Sequence, residues 1–242
     1  MRDYAVFRLY GPMASWGEIA VGEIRDTAVR PTRSALIGLL GAALGIRRDD
    51  EESCRGMVEA YRFAVRTNGS LTPIRDFHTW QRPKQKRGLR WETRKEELEA
   101  ETIDTGLSRR GYLCDAVWTV CMWTVTDDPP CSLEEIRQAV RTPRFVLYLG
   151  RKSCPPGLPV SVEIVTAETV KDAFDRFDEG SKDPMIKDLL KGAPLYFWDD
   201  DPNIGMEALE KYTRRDVPLN RRAWQFTERY EHRGGPGIVK EE

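Results

Sequence analysis

Between Pro31 and Gly45 the chain reads PTRSALIGLLGAALG, and from Ala35 to Leu44 it carries no polar side chain. A helix that is apolar all round must be enclosed all round, so the rest of the chain has to be built over this segment. Proline just before the start and glycine just past the end are the expected punctuation of such a helix. Gly38 and Gly41 would each cost about 1 kcal/mol relative to alanine in an exposed helix. Close approach of this helix to a sheet is the expected compensation.

The neighbouring segments suggest what that sheet is. YAVFRLY (4–10) reads as a strand ended by Gly11-Pro12. Residues 49–60 form an amphipathic pattern in which Asp49 and Glu52 have capping-box spacing. RFAVRT (62–67) is a strand candidate. YLCDAVWTVCMWTV (112–125) is apolar at odd and even positions, as in one strand covered on both faces. Ser132 and Glu135 form a second capping box. Leu133, Ile136 and Val140 stripe the helix it opens, and Pro143 stops it. FVLYLG (145–150) reads as a further strand, followed by short strands at 159–165 and 195–198 and a helix at 167–177. The order approximates the βαββαβ pattern of an α+β, ferredoxin-like fold, provided part of the stretch 68–111 is a strand. That topology serves RNA recognition and many other functions. Residues 1–155 would form this domain, and 156–242 a smaller β-rich extension with a glycine-rich tail.

The stretch 68–111 is polar, basic and weakly periodic, an excursion readable as a projecting hairpin. The formal charge of the 242 residues is only -1, less basic than a typical nucleic-acid binder. The charges are segregated, however. Arg82, Lys84, Lys86, Arg87, Arg90, Arg94 and Lys95 face one acid, Glu92, and Arg141, Arg144, Arg151 and Lys152 lie in an acid-free run. Acids gather at Asp172, Asp175, Asp178, Glu179, Asp183 and Asp188, and again at Asp199 to Asp201. Such segregation favours a polyanion on one surface and solvent or protein on another. The five cysteines include no CxxC pair, which argues against a disulfide framework and for a reducing compartment. The start MRDYAVFRLYG is too charged for a signal peptide, and no apolar run approaches the ~20 residues that span a bilayer. A cytoplasmic protein with no membrane partner is expected.

Four places could carry binding. RPTRS (30–34) opens the apolar helix, where unpaired N–H groups and the donors of Arg30, Arg33 and Ser34 suit phosphate; the plain alternative is a solvated helix start. YLGRKSCP (148–155) ends a strand, with Tyr148 available to stack a base and Arg151 and Lys152 to meet phosphates, or merely to solubilise. The basic excursion interleaves Trp80 and Trp91 with cations and ends at Arg109 and Arg110. Residues 211–235 hold Arg214, Arg215, Arg221, Arg222, Arg229 and Arg233, but a glycine cluster so near a terminus reads first as loose chain. Catalysis has little to stand on. The histidines are His78 and His232; for metal-independent RNA cleavage His78 could serve with Lys84 or Lys86, although a lone loop histidine is more often a surface or hydrogen-bonding residue. Cys114 and Cys121 would face opposite sides of one strand. No metal or cofactor is expected.

FRLYGPMASWG (7–17), RPTRSALIGLLGAALGIRRDD (30–50), YLCDAVWTV (112–120) and RFVLYLGRKSCP (144–155) together resemble, in order, the CasD family. That family binds the guide-RNA 5′ handle in the type I-E CRISPR Cascade complex. The resemblance implies a ferredoxin-like core with a β-hairpin thumb, here about 76–111. It implies binding of the crRNA 5′ handle beside the backbone subunit CasC and the large subunit CasA, with target DNA met only through the complex. Matching segments carry over Arg30, Arg33, Ser34, Arg110, Tyr148, Arg151 and Lys152 as RNA contacts, to which local charge adds Arg109 and Arg144. The resemblance is loose over 78–109 and poor over 160–220. It also implies that the chain is not itself the nuclease.

Overall fold

A computed structural model of the chain describes residues 1–20, 22–68, 71–84, 88, 90–180, 188, 190 and 192–235. Lys86, Arg87, Asp183 and the Pro236-Gly237 end of the tail lie outside them. The elements run β1 (Arg2–Tyr10), β2 (Met13–Ala14), β3 (Trp16–Gly17), β4 (Ile24–Arg25), β5 (Thr27–Ala28), α1 (Arg33–Leu44), α2 (Glu51–Ala60), β6 (Tyr61–Asn68) and β7 (Thr72–Pro83). They continue with α3 (Arg94–Leu98), β8 (Ile103–Cys114), β9 (Val117–Thr124), α4 (Leu133–Arg141), β10 (Val162–Ala167), α5 (Val170–Gly180), β11 (Leu195–Trp198), β12 (Glu210–Asn220) and β13 (Gln225–Gly234). The architecture is mixed α and β, built on antiparallel strands.

The main sheet has seven strands in the order β10-β1-β9-β6-β11-β13-β12. Helices cover both faces of its centre, which explains strands that are apolar at both parities. In β1, Ala5, Phe7 and Leu9 join Leu36 and Leu40 of α1 and Ile136 of α4 in one core. Tyr4 and Val6 point the other way, into a second core with Phe174 and Phe177 of α5. Trp118 of β9 meets Trp16 edge-on at 5.1 Å and donates Nε1–H to the Val29 carbonyl at 2.9 Å.

Helix α1 keeps its expected bounds. Thr32 caps it by accepting from the Ala35 amide, and Gly45 closes it at φ 82° while Ile46 N–H reaches back to the Gly41 carbonyl. The α4 capping box forms as expected. Four expectations need correction. The cap of α2 is Asp50, accepting from Ser53, not Asp49. Residues 112–125 are not one strand: Asp115, at φ 52°, separates the end of β8 from β9, so Cys114 and Cys121 stand on different strands. Gly38 faces not the sheet but the guanidinium of Arg221, which a Cβ there would meet at 3.0 Å.

The fourth correction concerns residues 145–150, which are not a strand of any sheet. Their backbone groups are taken elsewhere. Arg144 and Phe145 donate to the last α1 carbonyls, Ala43 and Ala42, at 3.0 Å each. Leu149 accepts from Ser15 and donates to Cys154. β-Type composition marked extended backbone correctly, but it does not say which groups pair with it. The edge position beside β1 goes to β10.

Residues 72–114 supply a long antiparallel hairpin, β7 with β8. Near the C-terminus, β12 and β13 form a hairpin hydrogen-bonded to β11, within the same sheet as the N-terminal strands.

Candidate nucleic-acid interface

A groove of about 1550 Å³ lies between three segments distant in sequence. Its floor is the half-buried side of α1, with Ser34, Gly38 and Ala42, continued by Arg47 and Arg48. One wall is the extended segment 145–152, contributing Tyr148, Gly150 and Lys152. The other wall is the β12–β13 hairpin, with Arg214, Arg215, Arg221, Arg222, Trp224 and Phe226. Gly150 is needed where it is: φ is 82°, and a Cβ would run into the Ser15 carbonyl oxygen. Residues on either side of it part ways. Tyr148 and Lys152 face the groove, whereas Arg151 turns to the base of the β7–β8 hairpin. There its guanidinium donates to the Arg25 carbonyl at 3.2 Å and lies 5.2 Å from the Tyr112 ring.

The expected residues therefore do not form one cluster. Ser34, Tyr148 and Lys152 meet in the groove. Arg151, Arg109 and Arg110 gather at the hairpin base, where Arg109 and Arg110 are in register with Ile24 and Arg25. Arg144 is exposed and packs its Cδ over Gly45, at the opposite end of α1 from Ser34.

Arg30 and Arg33 lie beneath the surface, 4% and 7% exposed. Arg30 pairs with Glu231, donates to the Tyr212 hydroxyl at 2.7 Å and lies 3.8 Å over the Phe197 ring. Arg33 donates to the carbonyls of Val58 and Tyr61 and pairs with Asp199 at 3.7 Å. Burial pulls the pKa of both down, but a guanidinium stays charged at any ordinary pH. The helix start they flank is also occupied: the Arg33 amide donates to Asp216 at 2.9 Å. A carboxylate thus sits at the site where a phosphate was expected, because the favourable end of a helix attracts an internal anion equally well.

The acids removed from solvent serve the same frame. Arg229 donates to Asp216, to Asp199 at 2.8 Å and to Glu231 at 2.7 Å. Asp178 receives Arg66 and Arg8, and Asp201 receives Arg2 and the Trp123 indole. Of the acids expected at the surface, Asp199 and Asp201 are internal and Asp178 is partly covered by its arginines, whereas Asp175, Glu179 and Asp200 remain exposed.

In the hairpin, Trp80 packs on Gly106 with Arg82 at 5.3 Å from its ring, and the cations of α3 are paired, Arg94 with Glu97 and Lys95 with Glu99. His78 neighbours Asp76 on β7. Lys84 lies six residues further along, roughly 20 Å at the rise of a strand, and is engaged by Asp104 at 3.8 Å. The two cannot act on one phosphodiester.

The family described as CRISPR-associated protein (Cas_Cas5) matches residues 4–231. The CRISPR system Cascade subunit CasD of Escherichia coli (strain K12) is 35% identical over 98% of this chain and 99% of its own. The chain belongs to the CasD family. Two solved structures are similar in fold. One is described as a CRISPR RNA-guided surveillance complex, with TM-score 0.62 and 24% identity over 96% of this chain and 89% of that one. The other is described as the crystal structure of a Cas protein, with TM-score 0.58 and 22% identity over 96% and 94%.

In this CasD-family chain the far wall of the groove is the part of the site least legible in the sequence. Arg214, Arg215, Arg221 and Arg222 precede a glycine cluster that reads as loose chain, yet they stand on the β12–β13 hairpin. The better signal was β-former alternation on either side of Trp224, YTRRDVPLN before it and QFTERYEHRG after it, which is a hairpin pattern. Arg47 and Arg48, directly after the Gly45 cap, were missed because a helix end gave no reason to look for a ligand there.

Proposed function

We propose that this chain is the subunit of a type I-E CRISPR Cascade surveillance complex that holds the 5′ handle of the guide RNA, by binding and without catalysis. One observation carries the reading: Arg47 and Arg48 just after α1, Lys152 of the 145–152 segment and the arginines of the β12–β13 hairpin converge on one groove that also offers Tyr148 and Trp224. Charge for the backbone and rings for the bases are what unpaired RNA requires. Ser34, Tyr148 and Lys152 would contact the handle in the groove. Arg109, Arg110 and Arg151 would meet its continuation at the hairpin base, with Arg144 at the margin. Arg30 and Arg33 would act as the frame that positions them.

The strand order β10-β1-β9-β6, with helices following β1 and β9, supports a ferredoxin-like core. On that reading β7 and β8 are the thumb, turned toward the backbone subunit CasC. The large subunit CasA lies near, and target DNA is reached through the complex. Residues 156–242 would lend the core its edge strand and the groove its far wall. The assembly would work in the cytoplasm.

RNA crosslinking mapped to single residues in the assembled complex is the test. Crosslinks at Tyr148 and Lys152 are expected. Crosslinks confined to the α5 face would overturn the proposal. Repeat RNA incubated with the purified chain in chelator should stay intact; specific cutting lost in His78→Ala would show an enzyme instead.

A further inference from the structure

The turn joining β12 to β13 places a tryptophan at a left-handed position that hairpin closure ordinarily gives to glycine or asparagine. Trp224 sits in it at φ 52°, a left-handed backbone that bulky L-residues rarely adopt. The residue is 61% exposed. A strained residue displaying an aromatic surface is the kind of outlier from which a functional role is inferred.

The turn is also held still. Asn220 accepts from the Ala223 amide at 2.7 Å and donates to Glu51, at the start of α2, at 3.0 Å. Arg221 reaches across to the Ser34 carbonyl at 3.2 Å, in the space that Gly38 leaves open. Two helices therefore fix the platform before any ligand arrives. The Arg48 guanidinium lies 4.9 Å from the Trp224 ring centroid, and Phe226 tilts against the ring with centroids 6.3 Å apart. The ring is thus supported, charged alongside, and open toward the groove.

We infer that Trp224 is a stacking platform for one unpaired nucleobase of the bound RNA, with Arg48 supporting the ring and Arg222 beside it to meet the flanking phosphate. This rests on the reading of the groove as an RNA site, and deepens it by assigning a base position. Stacking tolerates any base, because every base has a flat face. The platform would therefore set where the strand lies more than which sequence it has. It would also contribute affinity that salt does not screen, since a stacked base releases no counterion.

The probe is a short single-stranded RNA carrying the handle, titrated onto the full chain, together with a set in which each nucleotide in turn lacks its base. Trp224→Ala is expected to weaken binding about tenfold, with the slope of log affinity against log salt unchanged. Trp224→Phe should retain most of the affinity and lose the quenching of tryptophan emission that RNA causes. At one position only, removing the base should weaken the unaltered chain and have no effect on Trp224→Ala. Normal binding by Trp224→Ala, or base-removal effects that are the same in both proteins, would overturn the stacking while leaving the groove reading intact. No RNA binding by the unaltered chain would overturn both. Protection of the turn by a neighbouring protein subunit and not by RNA would overturn the stacking in favour of a protein contact.

Discussion

Arg229 holds Asp216 with two parallel hydrogen bonds, Nε to Oδ1 at 2.7 Å and Nη2 to Oδ2 at 3.0 Å, beneath the protein surface. The same carboxylate accepts the Arg33 amide at the start of α1. One side chain thus ties the β12–β13 hairpin to the helix that floors the groove. Asp216→Ala should cost about 3–5 kcal/mol, because it leaves buried donors without their anion. Urea unfolding measures it. A loss below about 1 kcal/mol would show that water replaces the carboxylate.

Acid should loosen the same frame. Burial works against the charge on Asp216, yet bonds from Arg229 and the Arg33 amide hold its pKa below the usual carboxylate range. Asp178 is likewise depressed, by Arg66 and Arg8 against its burial. Their unfolded forms take up protons near pH 4 and their folded forms only at lower pH. Between those values the unfolded chain binds more protons, so stability falls as pH falls. The contribution is fully present above about pH 5 and disappears as pH drops through the folded pKa values. Asp178→Asn and Asp216→Asn should each flatten the pH dependence of the unfolding free energy below pH 5. An unchanged dependence would remove these carboxylates from the account.

The salt dependence of RNA binding should separate surface cations from framework cations. Removing Arg222 or Lys152, both exposed, should each reduce the slope of log affinity against log salt by about 0.7. Arg33→Met should leave the slope unaltered at temperatures where the chain stays folded, and should lower the melting temperature. A reduced slope in Arg33→Met would mean that this buried arginine reaches the ligand.

Gly38 should matter to binding more than to folding. A Cβ at this position meets only the far end of Arg221, which can swing away. Gly38→Ala should therefore keep or gain up to about 1 kcal/mol of stability from its helix propensity. Gly38→Val should displace Arg221 into the groove and weaken RNA binding severalfold. Equal affinities for all three proteins would show that the placement of Arg221 is unimportant.

Local punctuation determined much that the sequence alone could state. Pro31 and Gly45 bound α1, Ser132 with Glu135 caps α4, and β-former runs mark β1, β6 and β11, because caps and periodicity depend on residues a few positions apart. Family membership was legible for the same reason, in four ordered segments. Tertiary structure alone decided what was long-range. The partner of the Arg33 amide stands 183 residues away, and its arrival turned an expected phosphate site into a buried anchor. Segment 145–150 is extended, but its amides go to the Ala42 carbonyl of α1 and to the nearby carbonyls of Tyr148 and Cys154 rather than to a neighbouring strand. The turn around Trp224 becomes a wall of the groove because Arg221 reaches the space left by Gly38 and Asn220 reaches Glu51 of α2. A side chain's chemistry is written in the sequence. Whether it faces water or an opposite charge depends on which distant segment packs over it.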